Sequence, residues 1–187
     1  MPEHSDNDDV LVELTKDHDE MREMFTVLRG GVAGEQQEET VRQLTVEVIK
    51  HAVAEEVHLY PLLRKVFPNG NEVADHEIEE HSEVEELLKQ LEKMEPTDPE
   101  YQATLNRVMD ALEHHARDEE TNVFPELRSK LPKSELMELG NKIRSTKKIA
   151  PTHPHPAAPD TAPWNKLAGP MAGLVDRARD AFTNAKS

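Results

Sequence analysis

Two stretches of this chain, 64 residues apart, carry the same potential chemistry. His51-Ala-Val-Ala-Glu55-Glu56 is followed by Tyr60-Pro61, and His115-Ala-Arg-Asp-Glu119-Glu120 is followed by Phe124-Pro125. Each stretch is preceded by a second shared pattern. Asp17-His18 leads into Met21, Phe25 and Leu28, while Glu80-His81 leads into Val84, Leu88 and Leu91. On a helix, residues four apart project from nearly the same side, offset by roughly 40° and about one turn. His51 and Glu55 therefore point together, as do His115 and Glu119. With His18 and His81 this places four imidazoles and two carboxylates at one level. Their neighbours on the same faces are Leu, Val, Met and Phe, so these polar groups are expected to be buried. Buried carboxylates need a cationic partner. A metal pair supplies one.

The residue types narrow the metal. Imidazole with carboxylate and no thiolate suits iron or manganese, with zinc second. Six inward ligands exceed what one tetrahedral structural zinc uses. Two ions bridged by the two glutamates is the economical arrangement. Iron is the expected occupant, because a mixed shell of this kind supports two redox states and leaves room for an exogenous ligand. A lone histidine on an apolar face is more often a satisfied core residue, and one i,i+4 His/Glu pair can be a solvated side-chain pair. Here the pattern occurs twice, in register with two further histidines and two aromatic–proline marks.

The elements that must position these groups are helices. Strand signals are absent and period-3.6 patterns run almost throughout. A first helix is predicted from Asp8 or Asp9, which can cap it, to Gly30-Gly31. A second runs from about Gln36 to Phe67-Pro68-Asn69-Gly70. A third spans about Asn71–Met94. A fourth covers roughly Pro99–Lys130, with Asp98 as N-cap and Pro99 at the first helical position. A short fifth helix, about Pro132–Ser145, carries Leu136, Leu139 and Ile143. Short loops favour antiparallel neighbours. The predicted fold is therefore all-α, an up-down-up-down four-helix bundle over residues 1–145. Pro61 and Pro125 are expected to kink the second and fourth helices just beyond the ligand layer. Residues 146–163 read as a Pro-rich extended linker. At 164–187, Trp164, Leu167, Met171, Leu174, Ala178 and Phe182 predict a C-terminal amphipathic helix that docks on the bundle or on a second subunit.

Composition sets the function classes aside. Net charge is −16 over 187 residues, and residues 145–187 hold six Lys/Arg against three Asp/Glu, leaving −19 for residues 1–144. Such a surface disfavours nucleic acid and anionic lipid. The chain has no cysteine, which excludes disulfides, iron–sulfur clusters and thiol nucleophiles. No apolar run reaches the roughly 18–20 residues of a membrane span. The N-terminus lacks the basic and apolar regions of a secretory signal. A cytoplasmic location is expected.

The segments Asp17-His18, His51…Glu55-Glu56…Tyr60-Pro61, Glu80-His81 and His115…Glu119-Glu120…Phe124-Pro125 closely resemble the bacterial hemerythrin-like, or HHE cation-binding, family. The resemblance covers about residues 8–130. It implies a four-helix bundle around a non-haem di-iron centre. On that resemblance His18, His51, His81 and His115 are terminal ligands. Glu55 and Glu119 are bridging carboxylates, beside an oxo, hydroxo or water bridge. The chain departs from the oxygen-carrying hemerythrins, which use five histidines and an aspartate at the second bridging position. Here Glu77 and Glu85 flank His81 at four residues on either side. One coordination position is thus unassigned. Glu77, His58 and Tyr60 are the candidates. His58 lies one heptad after His51, but the repeat has Asn122 there, which favours an exposed helix residue instead. His114, His76 and His4 read as outward-facing, and His153 and His155 fall in the linker. Glu56 and Glu120 read as acceptors for ring N–H groups or as solvated residues.

The functional expectation is a di-iron protein that meets dioxygen, hydrogen peroxide or nitric oxide. A missing histidine turns the reading away from simple oxygen carriage and towards a catalase-like or nitric-oxide-reacting oxidoreductase in stress defence. The alternative is an oxygen- or iron-sensing module without turnover, acting through a homodimer or a partner protein on residues 164–185.

Overall fold

In the computed structural model, residues 8–149 are described. Helix α1 (Val10–Arg29) starts where the sequence predicts. The Asp9 carboxylate accepts the backbone N–H groups of Leu11 and Val12, each at 3.1 Å, and so satisfies two donors that a helix start leaves unpaired. After a loop in which Gly31 and Gly34 take positive φ, α2 (Glu35–Ala54) descends antiparallel to α1. A five-residue π-helical turn, Glu55–Leu59, links it to α3 (Tyr60–Val66). Helix α4 (Gly70–Glu92) follows. A Cβ on Gly70 would lie 2.1 Å from the Leu63 carbonyl oxygen, so only glycine allows α4 to begin this close to α3.

Helix α5 (Tyr101–Asp118), a second π-helical turn (Glu119–Val123) and α6 (Phe124–Lys130) repeat the α2–α3 arrangement. The predicted start of this helix is corrected. Asp98 does not cap it; its carboxylate accepts the Glu95 N–H at 2.9 Å in the preceding turn, and Pro99 lies in that turn before Tyr101. The side chain is turned back to that turn, and it is the Asp98 backbone carbonyl that accepts the Tyr101 N–H, at 3.0 Å. Helix α7 (Lys133–Ile149) runs four residues past its expected end and packs on α1 and α2. The expected amphipathic helix at 164–187 and most of the expected linker lie outside the described residues.

All described residues in regular elements are helical, and the architecture is the predicted up-down-up-down bundle, with α7 added on one flank. Two large apolar clusters fill it, with a small third of Ile49 and Val53 beside them. One contains Leu14, Leu59, Leu63, Val123 and Leu127, completed by Leu136, Leu139 and Ile143 of α7. The other contains Met21, Phe25, Val48, Val84, Leu105 and Leu112. Each fully buried aliphatic side chain contributes about 1.5–3 kcal/mol. The histidine layer lies between the two clusters, which hold the helices rigid on either side of it.

Candidate metal centre

The two π-helical turns begin at Glu55 and Glu119 themselves. Tyr60 N–H donates to the Glu55 carbonyl, and Phe124 N–H to the Glu119 carbonyl, both i→i−5 bonds. The prolines explain this. Pro61 and Pro125 have no N–H to give, and a proline ring in an α-helix collides with the carbonyl four residues back. Widening one turn relieves both conflicts. The backbone irregularity expected beyond the ligand layer thus falls within it. It also has a geometric effect. Residues five apart on an α-helix point about 140° apart, but the extra residue in the turn brings Tyr60 round to the side of Glu55.

Four buried imidazoles form two facing pairs. His18 Nε2 lies 3.2 Å from His51 Nε2, and His81 Nε2 lies 3.2 Å from His115 Nε2. Every outward nitrogen is engaged by a carboxylate from the neighbouring helix. Asp17 of α1 meets His51 Nδ1 at 3.0 Å, and Glu56 meets His81 Nδ1 at 3.1 Å. Glu80 of α4 meets His115 Nδ1 at 2.9 Å, and Glu120 meets His18 Nδ1 at 2.9 Å. The acids form a closed ring in which each helix supplies the acceptor for the next. A carboxylate can only accept, so each Nδ1 carries the proton and each Nε2 is free to present its lone pair inward.

The carboxylates sit on one side of this imidazole layer. His51 Nε2 is 3.2 Å and His81 Nε2 3.4 Å from Glu55 Oε2, while His18 Nε2 is 3.4 Å from Glu119 Oε2. Glu77, one turn before His81, is fully buried beside them. Among the described residues, three groupings have ligand atoms close enough to share an ion: His18, His51, Glu55 and Glu119; Glu55, His81 and His115; and Glu77, His115 and Glu119.

Charge balance tests whether a cation fits. Oε1 of Glu55, Oε1 of Glu77 and both oxygens of Glu119 are buried without a hydrogen-bond partner, and Glu77 Oε2 meets His115 Nδ1 at 3.1 Å, a nitrogen already engaged by Glu80 at 2.9 Å. Such groups are costly to leave unmatched. Burial drives Glu77 above the usual carboxylate range, opposed by His115 and reinforced by Glu119 and Glu55. Burial also opposes charge on Glu55, yet the imidazoles, His51 first, hold it well below that range. In return, His51 is pushed up to about 10 despite its burial, chiefly by Glu55 and Asp17. Nitrogens facing each other at 3.2 Å can hold only one proton between them. Two inward protons are too few for the three inner carboxylates. The donor set therefore fits metal cations, which would replace the shared protons and take up the unmatched oxygens.

The structure brings His18, His51, Glu55, His81, His115 and Glu119 together, with Glu77 and Tyr60 at their edge. Tyr60 Oη is 3.3 Å from Glu55 Oε2 and 3.1 Å from His81 Nε2. Burial, then Glu55, Glu119 and Glu77, holds its phenol well above its ordinary pKa. His58 is not in the group. It is half-buried, and its Nε2 meets the Thr146 hydroxyl at 2.7 Å. His114 and His76 are exposed and approach Glu80 only loosely. The outer roles of Asp17 and Glu80 were not anticipated. Their signal was present as an acid immediately before each first-helix histidine, but the partner is on another helix.

The two halves are not equivalent. Leu14 and Phe124 stand where the repeat has Glu77 and Tyr60. Phe124 offers no donor and stacks on His18 instead, with centroids 6.0 Å apart and planes 5° from parallel. The two candidate extra ligands that reach the layer, Glu77 and Tyr60, thus both fall on the His81/His115 side.

A helical bundle with a buried histidine–carboxylate layer of this kind defines a cation-binding protein. The family model for the hemerythrin HHE cation binding domain matches residues 9–127, and the chain belongs to that family. An uncharacterized hemerythrin-like protein of Schizosaccharomyces pombe is 29% identical over 168 residues, covering 89% of this chain and 83% of the relative. A DNA nickase of Nostoc is 26% identical over 145 residues, covering 76% of this chain but only 41% of that protein. The crystal structure of a hemerythrin HHE cation binding domain-containing protein from Mycobacterium kansasii matches the fold with a TM-score of 0.64. It is 22% identical and covers 75% of this chain and 86% of that one.

Proposed function

We propose that this chain holds a carboxylate-bridged, non-haem pair of iron ions and reacts with a small oxygen- or nitrogen-containing ligand in oxidative or nitrosative stress defence. His18 and His51 would hold one ion, His81 and His115 the other, with Glu55 and Glu119 shared between them. Glu77 is the preferred additional ligand, because its Oε1 is buried without a hydrogen bond and its Oε2, 3.1 Å from His115 Nδ1, competes with Glu80 for that nitrogen's one proton. The observation that carries this reading is the ring of four Nδ1–carboxylate bonds, which turns four Nε2 atoms towards buried, unmatched carboxylates.

When bound, the metal pair would supply one-electron redox chemistry and an open coordination position. The chain does the rest. Asp17, Glu56, Glu80 and Glu120 fix the imidazole tautomers, and Arg22 holds Glu120 in turn through two bonds of 2.9 and 3.1 Å. The apolar clusters on both sides keep bulk water from the layer. Since all three inner carboxylates lie on one side of the imidazoles, an incoming ligand would meet the other.

A second reading, binding or sensing without turnover, is favoured by one contact. Lys147 of α7 pairs with Asp17, the acceptor for His51, so a change at His51 would reach the helix that leads into residues 150–187. Nicking of DNA is not carried over from the Nostoc relative, since the similarity spans less than half of it and a net charge of −16 opposes DNA binding.

The test is to load the protein with iron, count metal per chain and follow the visible spectrum and oxygen release on adding peroxide. Two irons with repeated oxygen evolution would support a peroxide-consuming enzyme. Two irons with a stable adduct and no turnover would favour sensing. One metal or none in a folded chain would refute the di-iron reading.

A further inference from the structure

Glu80 faces two ways. Its Oε2 accepts from His115 Nδ1 at 2.9 Å, while its Oε1 meets two exposed imidazoles that the buried centre does not use. His76 precedes Glu80 by four residues on α4, and His114 approaches from α5. Their Nε2 atoms lie 3.7 and 3.5 Å from that one oxygen. Both separations are too long for a hydrogen bond. They are instead near the spacing of two donors on one tetrahedral ion, about 3.3–3.4 Å for bonds of roughly 2.0–2.1 Å. The Glu80 side chain is 14% exposed and held by His115, whereas those of His76 and His114 are 56% and 75% exposed. Closing a site therefore requires only that two solvent-facing rings swing together about a fixed oxygen.

The other half of the repeat carries a cation at the matching place. Asp17 corresponds to Glu80, Glu13 to His76 and Lys50 to His114. There Lys147 of α7, the helix that packs on α1 and α2, pairs with Asp17 and lies 2.9 Å from Glu13. Among the described residues no lysine or arginine pairs with Glu80; its ion-pair partners are His76, His114 and His115. The surroundings favour a positive charge, since α4 carries nine Asp/Glu against one lysine, Lys89. The place that an ammonium occupies in one half is lined in the other by imidazoles, whose fitting cation is a metal.

We propose that His76, Glu80 and His114 form a second metal site, on the surface between α4 and α5, that takes a divalent transition ion, zinc foremost. Two imidazoles and one carboxylate without thiolate suit zinc, and three protein ligands leave a position for water. The bound ion holds Glu80 from outside as Lys147 holds Asp17. This site stands apart from the di-iron reading, because none of its three groups depends on iron at the centre.

Calorimetric titration of the iron-loaded full chain with zinc chloride should show one zinc per chain beyond the iron. His76→Ala and His114→Ala should each weaken it by about 100-fold, the upper end of the effect of losing a group that merely supports a ligand, with iron content unchanged. His153→Ala/His155→Ala controls for the other closely spaced histidines of the sequence and should leave the affinity unaltered. Zinc-edge anomalous scattering from crystals should place the ion between α4 and α5. Absence of extra zinc, an affinity that survives both single substitutions, or zinc lost only with His153 and His155 would overturn the proposal. If the protein binds no iron, the di-iron reading fails and the surface site is still decided: the wild type should then take up one zinc more than His76→Ala/His114→Ala.

Discussion

Tyr60 and Phe124 occupy the same place in the two halves of the bundle, yet only Tyr60 brings a polar atom to the centre, 3.1 Å from His81 Nε2 and 3.3 Å from Glu55 Oε2. Both owe their inward position to the π-helical turn before them. The consequence is a centre polarised along the repeat, richer in donors at His81/His115 than at His18/His51.

Tyr60→Phe makes the second half copy the first. The variant should still bind two irons, but the ion at His81/His115 should leave to a chelator about ten-fold faster, the lower end of the effect of losing a group that supports metal ligands. Wild-type release should be biphasic, and the two phases should draw together in the variant. An unaltered slow phase would show that the phenol does not support the site.

Glu77 offers a prediction with opposite signs in two states. Its Oε1 is buried without a hydrogen bond and its Oε2 lies 3.1 Å from His115 Nδ1, a nitrogen already engaged by Glu80; its repeat counterpart is Leu14, so Glu77→Leu has a precedent in the same fold. Without metal, removing an unmatched buried carboxylate should raise stability by roughly 1–3 kcal/mol. With iron, the variant should hold its second ion more weakly. Thermal melts with and without metal check both signs, and a loss of stability in the metal-free variant would mean that Glu77 is satisfied by the protein alone.

The protons that stand in for metal make the metal-free protein sensitive to alkali. His51 is raised from its ordinary value of 6.5 to about 10. A group raised in the folded state contributes stability that is fully present below its unfolded pKa and is lost as pH rises through the folded one. Metal-free protein should therefore lose stability between about pH 6.5 and 10. Glu55, held low by the imidazoles, acts on the acid side: its contribution is present above about 4.5 and is lost as pH falls. Metal should flatten the alkaline limb, because a metal-bound Nε2 has no proton to lose, and loading should release protons to a dye. Identical alkaline melting curves with and without metal would refute this account.

The fold was readable because its signals are local. Asp9 caps α1, Gly30 follows it, and the apolar residues at three- and four-residue steps become the two core clusters. Four histidines and two glutamates were readable for the same reason, reinforced by repetition. What escaped the sequence is what depends on distance between helices. Asp17 precedes His18 but serves His51; Glu80 precedes His81 but serves His115. A proline signals disruption, but not whether the helix kinks or widens, and that choice places Tyr60. His58 shares the heptad of His51, yet the π-helical turn begins between them, at Glu55, and a heptad relation cannot survive an inserted residue. Asp98 looked like a cap because Pro99 follows it, but its carboxylate faces back to the Glu95 N–H and the helix begins only at Tyr101.

Helix α7 breaks the repeat outside the centre. Lys147 contacts Asp17 and lies 2.9 Å from Glu13, while Arg144 lies 3.3 Å from Glu13. Asp17 is thereby neutralised on the side away from His51, whereas among the described residues its counterpart Glu80 has, besides His115, the exposed His76 and His114 nearby. Lys147→Met keeps most of the aliphatic stem and removes the charge. The metal-free variant should lose roughly 1.5–3 kcal/mol, the usual worth of a hydrogen bond to a charged group. The ion held by His18 and His51 should also bind less tightly, because the carboxylate that orients His51 has lost its anchor. Lys142→Met, which breaks the exposed pair with Glu138 on the same helix, should change stability by less than about 1 kcal/mol and leave metal release unaltered. Equal effects of the two substitutions would show that Lys147 acts on the stability of α7 alone and not through Asp17.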